Sequence, residues 1–351
     1  MSVKTNIENK RTTDSNKENK SMNTNETIDL GVDLGMGAIK LYGVEGGLAL
    51  PSFVGVGGRP LLAQSAGVGS KQSVLQVKLG SLSFYVGQNA HSFGRPVENL
   101  DYSRLTQSPE ITALFYGAMT EYMQTYGEID QPISIIAGLP LEMMGEDNAK
   151  ESADAIRKWM KGEHTWDANG TSYQITVANV KASSQPVGAL MDFLLNEEGG
   201  YQPGRKSLAK DKIGVISVGF NTIEILLMES SKVVHRMSNG STFGVRRLLE
   251  LLNPERLYSL GELNVMMRAG NLDLSEALPV WQQQVLGEIE KLWGKEWKRC
   301  KRIIIVGGGS IILGDKLWSK FQGKAHLSDD PVQSISRGLY KMLVKSSKRG
   351  K

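Results

Sequence analysis

The sequence predicts an α/β fold assembled from two related halves, and three observations carry that prediction. An apolar strand, a glycine-punctuated turn and a second apolar strand occupy residues 28–44 (IDLGVDLGMGAIKLYGV), and the same pattern returns at 213–228. Laying VDLGMGAIKLY over ISVGFNTIEIL pairs Asp33 with Ser217, Gly35 with Gly219, Gly37 with Asn221 and Lys40 with Glu224, as an internal duplication would. Between the two hairpins the chain alternates strand, helix, strand, helix, the pattern of an α/β layer.

Taken in order, residues 1–27 are rich in Asn, Lys, Ser and Thr, with only Met1, Val3, Ile7 and Met22 as larger apolar side chains. Such a segment cannot bury enough surface to offset its ordering entropy, which predicts a disordered extension. In the first hairpin Asp33 precedes Gly35 and Gly37, and Lys40 lies three residues past the second glycine. That spacing offers backbone amides and one cation to a phosphate chain, although an ordinary hairpin wants the same glycines. Residues 48–56 and 84–87 read as short strands of a small β-rich region over 45–104. Ser108 as N-cap, Pro109 at the first helical position and Glu110 in the first turn open a helix. Its apolar stripe runs Ile111, Leu114, Phe115, Ala118, Met119, Tyr122, Met123 and Tyr126.

Residues 133–137 (ISIIA) form a continuous apolar run that closes on Gly138-Leu139-Pro140, as a strand buried on both faces does. A helix is expected over 149–160, a strand over 173–180, and a helix directly after Pro186. Residues 197–211, polar and glycine-rich, read as a loop between two domains. Strands follow at 213–218, 223–228 and 233–237, then helices at 243–252 and 257–268. Residues 281–297 form a long amphipathic helix with Trp281, Val285, Leu286, Ile289, Leu292, Trp293 and Trp297 on one side. The strand RIIIV (302–306) turns abruptly at Gly307-Gly308-Gly309-Ser310, where bare backbone lets a ligand lie close. A last helix spans 332–343, and 344–351 is a basic, solvated tail.

Composition narrows the function classes. A chain of 351 residues accommodates two domains, and a net charge of +4 without a long Lys/Arg stripe argues against direct nucleic-acid binding. The single Cys300 rules out a disulfide framework, a cysteine-rich zinc site and an iron–sulfur ligand set. Four scattered histidines give no ligand spacing, and no apolar run approaches the roughly 18–20 residues of a membrane span. A soluble cytoplasmic protein is expected.

The three glycine turns, in their fixed order, resemble those of the actin-like ATPase superfamily. DLGMGAIK (33–40) is similar to that family's first phosphate hairpin, SVGFNT (217–222) to its second, and VGGGS (306–310) to its adenosine turn. Gln185-Pro186-Val187-Gly188-Ala189 resembles the segment that begins with Glu or Gln and poses the attacking water. The nearest likeness is to ParM-type plasmid-segregating bacterial actins and their archaeal relatives. It is supported by Leu50-Pro51-Ser52, Tyr85-Val86-Gly87, Gly138-Leu139-Pro140, Asp330-Pro331 and Ser336-Arg337-Gly338-Leu339-Tyr340, and it covers about 28–343.

The resemblance implies an actin-like fold, two ribonuclease-H-like halves with a nucleotide cleft between two domains. The first domain takes 28–196 with 331–343, the second 212–330, with 197–211 between them. It implies ATP or ADP, with GTP as the alternative nucleotide, and Mg²⁺ held by Asp33 through water. Lys40 would neutralise phosphate, and amides at Gly35, Met36 and Gly37 and at Gly219, Phe220, Asn221 and Thr222 would clamp oxygens. Gln185 would orient water, and Gly307, Gly308, Gly309 and Ser310 would carry adenosine, with Gly244 approaching from the other side. Two departures stand out: Ser217 occupies a position that normally carries Asp, and Phe220 one that is usually Gly or Asp. Met36 also stands where eukaryotic actin commonly has a small hydroxyl residue.

The implied function is an ATPase that self-associates into cytoskeletal filaments, for plasmid or DNA segregation with a DNA-bound adaptor protein as partner. The alternative is a non-filamentous protein of the same fold, a small-molecule kinase or a peptide-binding adaptor. No carboxylate base for an acceptor hydroxyl is evident for the kinase, and the short chain after Gly309 argues against an attached peptide-binding chaperone domain.

Overall fold

The computed structural model describes residues 27–57, 74–97, 101–145 and 149–348. The expected disordered extension, apart from Thr27, and the end of the basic tail lie outside these residues. Two sheets dominate. The first contains β1 Ile28–Leu34, β2 Ala38–Gly43, β3 Gly46–Pro51, β4 Val54–Val56, β5 Leu75–Leu79, β6 Leu82–Val86, β7 Arg95–Pro96, β8 Ile133–Leu139, β9 Gly162–Ala168 and β10 Thr171–Ser184. Their order is β3-β2-β1-β8-β10-β9-β5-β6-β4-β7. The second contains β11 Ile213–Val218, β12 Ile223–Glu229, β13 Lys232–Val233, β14 Asn239–Ser241, β15 Arg302–Val306 and β16 Ala325–Leu327. Its order is β13-β12-β11-β15-β16, with β14 beside β12.

The duplication is visible in the pairing. In each sheet an antiparallel hairpin (β1–β2, β11–β12) is followed on its first strand by two parallel neighbours (β8 and β10, β15 and β16). Asp33 sits opposite Lys40 in the first hairpin, and Ser217 opposite Glu224 in the second, the register that the sequence overlay requires. Strands β8 and β11 are buried along their whole length because helices cover both faces, which explains their unbroken apolar runs.

The helices that matter here are α1 Pro109–Tyr126, α2 Ala149–Met160, α3 Gln185–Leu194, α4 Val245–Leu251, α5 Leu260–Arg268, α6 Ala277–Trp293, α7 Gly308–Leu313 and α8 Ser334–Ser347. Ser108 caps α1, its hydroxyl accepting the Ile111 N–H, as the Ser-Pro-Glu opening predicts. Helix α5 starts at a capping box between Ser259 and Glu262, three residues later than the expected start at 257. The expected helix over 281–297 begins earlier and stops at Gly294, whose φ of +47° breaks the ladder. Trp297 then packs on Phe321 from a separate 3₁₀ turn. The expected strand at 233–237 becomes β13 and a 3₁₀ turn, held where Trp293 donates its indole N–H to the Met237 carbonyl at 2.9 Å. The last helix continues to Ser347, into the segment expected to be a solvated tail, with the Lys345 ammonium 3.7 Å from the Tyr201 ring centroid. Among the described residues no helix is long and apolar enough to cross a membrane.

Each sheet has its own apolar core, and a third core joins them. It is built from Ile136 of the first sheet, Ile213, Val215 and Ile304 of the second, and Ala189, Leu190, Ile335 and Leu339 of the crossing helices α3 and α8. The crossing is close because it is made of glycine. A Cβ on Gly338 would lie 1.8 Å from the Gly188 carbonyl oxygen, and one on Gly188 would lie 2.8 Å from the Ile335 carbonyl oxygen. One turn further along, Asp192 accepts two bonds from Arg337 at 2.7 Å, one from Lys341 at 2.9 Å and one from Ser334 at 2.7 Å. Burial pushes the Asp192 carboxyl up, but Arg337 and Lys341 outweigh it and hold it below the usual range.

Gly338→Ala is expected to cost about 3 kcal/mol or more, since a methyl forced against backbone has nowhere to go. Gly287→Ala, in α6 with open space around the added Cβ, should instead be neutral or stabilising by up to about 1 kcal/mol. Urea unfolding of the two variants checks the contrast.

Candidate active site

The two hairpins face one cavity of about 350 Å³. Asp33 lies at its floor, only 1% exposed, and both carboxylate oxygens are engaged. Lys40 donates to Oδ2 and Gln185 to Oδ1, each at 2.7 Å. Lys40 comes from the opposite strand of the same hairpin and Gln185 from the first turn of α3. A residue on β1, its hairpin partner and a side chain 152 positions away thus converge at one carboxylate.

The turns are shaped to present amides. In the first, Ser52 donates its hydroxyl to the Gly35 carbonyl at 2.7 Å and its N–H to the Gly37 carbonyl at 3.1 Å. In the second, the carbonyls of Gly219, Phe220 and Asn221 accept from the N–H groups of Val245, Arg246 and Gly244 at 3.0, 2.7 and 3.2 Å. A trans peptide directs its N–H opposite its C=O. The N–H groups of Met36, Phe220, Asn221 and Thr222 therefore point away from these partners, and all four residues line the cavity. Facing amides of this kind suit an anion with several oxygens.

The glycine turn closes the site from the second sheet. Gly307 has a φ of +87°, and a Cβ there would lie 2.3 Å from the Val218 carbonyl oxygen, so only glycine fits. Gly307, Gly308 and Gly309 line the cavity beside Ile311, Ile312 and Val245, which supply an apolar wall. Two expected contacts fall elsewhere. Ser310 is buried, its hydroxyl donating to the Gly307 carbonyl at 2.6 Å, and it shapes the turn from behind. Gly244 packs against the backbone of Phe220 and Asn221 outside the lining, because its N–H is used to cap the second hairpin. The other expected residues, Gly35, Gly37, Ser217 and Gly219 among them, all line the cavity.

A further wall of the cavity, marked by no motif, comes from α5, where Asn264, Met267 and Arg268 line it at helical spacing. Arg268 donates Nε–H to Asn264 Oδ1 at 3.1 Å, and Asn264 Nδ2 is buried without a partner. Polar residues on the inner stripe of an amphipathic helix were the available signal. Glu224, which the overlay pairs with Lys40, is a further buried group of the second hairpin. It is buried directly opposite Ser217, accepts the Leu141 N–H at 2.9 Å, and leaves Oε2 without a partner. Burial pushes its carboxyl up to about 8, the Leu141 N–H pulls the other way, and the Asp33 and Glu142 charges add to the rise. At neutral pH it is therefore largely protonated and adds little charge to the site.

For magnesium the donor set is sparse. Among the described residues no group of three or more His, Cys, Asp or Glu converges. One carboxylate, Asp33, suits an ion that keeps most of its waters and takes its remaining ligands from substrate phosphate.

Comparison with known proteins follows the same line. Residues 31–188 match the family described as actin like proteins, N terminal domain. The fold is similar to that of apo pSK41 ParM, at 19% identity over 92% of this chain and 98% of that one, with a TM-score of 0.68. It is similar to the archaeal actin homologue Ta0583 in complex with ADP, at 20% identity, 92% and 100% coverage and a TM-score of 0.66. A 15-stranded ParM filament from Clostridium botulinum gives 20% identity, 92% and 99% coverage and a TM-score of 0.72. At these identities the likeness establishes the fold. No curated protein matches in sequence.

A carboxyl held above its unfolded value keeps its proton in the folded chain while the unfolded chain has lost it. Stability from Glu224 is therefore present below about 4.5 and lost as pH rises to about 8. Glu224→Gln keeps the acceptor for Leu141 and removes this titration. Its urea midpoint should match wild type near pH 4.5 and exceed it increasingly towards pH 8.5; a pH-independent difference would contradict the assignment.

Proposed function

We propose, from the premise that this is an actin-like chain with a ParM-like fold, that it binds and hydrolyses ATP and assembles into filaments. The observation that carries this reading is the pair of amide-presenting hairpins facing each other over Asp33, with Lys40 and Gln185 fixed at its carboxylate. The likeness to an ADP-bound archaeal actin homologue and to a filament-forming ParM supports it.

The mechanism is phosphoryl transfer to water, in which the protein positions and neutralises. Amides of Met36 and of Phe220–Thr222 hold phosphate oxygens, and Lys40 offsets the charge that develops on them. Gln185 orients the attacking water through its amide and takes no proton, since an amide is no base at neutral pH. Asp33 would hold a magnesium ion through its water shell, and the ion would supply charge neutralisation for the phosphates. The Ser217 hydroxyl cannot supply the second carboxylate, so Asp33 is the acidic anchor. Gly307–Gly309 and the Ile311–Ile312 wall take the nucleoside.

Assembly is head to tail, a heterologous contact that propagates instead of closing. In the cytoplasm such a filament would serve DNA or plasmid segregation through a DNA-bound adaptor protein.

Pelleting and electron microscopy of the full chain with Mg-ATP, Mg-ADP and no nucleotide test the reading: filaments should form with Mg-ATP. A protein that binds nucleotide yet stays monomeric throughout would favour the non-filamentous alternative. Asp33→Ala should abolish nucleotide-dependent assembly. Gln185→Ala should slow hydrolysis about 10²-fold while nucleotide still binds, the effect of a misplaced reactant.

A further inference from the structure

Helix α5 carries one residue that its own packing does not explain. Leu260, Leu263 and Met267 lie at i, i+3 and i+7 and pack into the core of the second sheet. Asn264 falls at i+4 on the same stripe, where an amphipathic helix ordinarily places an apolar side chain. It is only 1% exposed. A buried amide is tolerated when both of its ends are hydrogen-bonded, and here only one end is.

Chemistry fixes which end is free. Arg268, one turn along, donates Nε–H to Asn264 at 3.1 Å. A guanidinium has no acceptor to offer, so the amide must turn its oxygen towards Arg268 and its NH₂ group away. That group, Nδ2, is buried without a partner, and Asn264, Met267 and Arg268 all line the cavity. The polar groups of this wall are therefore donors, with the one amide oxygen already taken. An unpaired buried donor destabilises the chain until an acceptor reaches it.

We propose that Asn264 donates to an acceptor atom of the bound nucleoside, and that Arg268, by holding the amide in this orientation, makes α5 select for acceptors. The proposal rests on the nucleotide reading above. Phosphate oxygens are already met by the hairpin amides and Lys40. On α5 a thioether, Met267, lies beside the donor, and a nucleoside matches that pair because it offers an apolar face and acceptor atoms together. Two parts of a nucleoside share this chemistry, the ribose oxygens and the acceptors on the edge of the base.

Isothermal titration calorimetry of the full chain with Mg-ADP tests this. Asn264→Leu, similar in shape and without a donor, should raise Kd about 10-fold, the effect of leaving one acceptor unmatched. Asn264→Asp, whose carboxylate pairs with Arg268 and turns an acceptor towards the ligand, should raise it further. The urea midpoint of the nucleotide-free Leu variant should be no lower than that of wild type, because the change removes an unpaired donor. A loss that vanishes with 2′,3′-dideoxy-ADP assigns the ribose, and one that persists assigns the base. Tripolyphosphate, which has no nucleoside, should bind the Leu variant as it binds wild type. Unchanged ADP affinity in folded variants, or equal weakening of tripolyphosphate, would overturn the Asn264 assignment alone. A wild-type chain that binds no nucleotide would overturn that assignment and the nucleotide reading together.

Discussion

The constraint on which the site depends is the burial of a single carboxylate. Asp33 is almost wholly removed from water, a position that an unpaired charge could not hold. Lys40 supplies the countercharge from across the hairpin, and Gln185 supplies a second donor from α3. The hairpin and the helix are thereby tied together at the point where phosphate chemistry is proposed. At the other end of α3, Asp192 is tied to α8 by Arg337 and Lys341. One short helix thus runs from the floor of the cavity through the glycine crossing that joins the two sheets to Asp192, with a buried carboxylate fastened near each end.

The duplication preserved geometry more faithfully than chemistry. Both hairpins have the same register, yet the first sets acid against base and the second sets hydroxyl against acid. Glu224 is no simple replacement for the acid missing at Ser217. It is fully buried, bonded to the 3₁₀ turn that follows β8, and largely protonated at neutral pH. The charge of the cavity floor is therefore concentrated on the first hairpin. The second contributes amides, held outward by the N-terminal N–H groups of α4 bonding its carbonyls from behind.

Much of the fold was legible because its signals are local. The N-cap at Ser108, the apolar runs of β8 and β15 and the glycine turns all declare themselves within a few residues. The strand β9 is not legible locally, because of its three buried positions, His164, Trp166 and Ala168, one is polar and one small, which leaves a single strongly apolar residue to mark the alternation. The helix expected to reach 297 stops at Gly294, and Trp297 looked continuous with it only because it also packs inward, against Phe321.

For the candidate site, the sequence by itself singled out the two hairpins, the glycine turn, Asp33, Lys40 and Gln185, all of which line one cavity, because glycine and charge at fixed spacing are properties of short segments. Tertiary structure alone decided that Ser310 and Gly244 lie behind the cavity and that Asn264, Met267 and Arg268 line it. It also decided that Phe220 fills the space over Gly37. Those outcomes depend on how the two sheets approach each other, and the distance between them is fixed by a glycine crossing whose partners, Gly188 and Gly338, lie far apart in the chain.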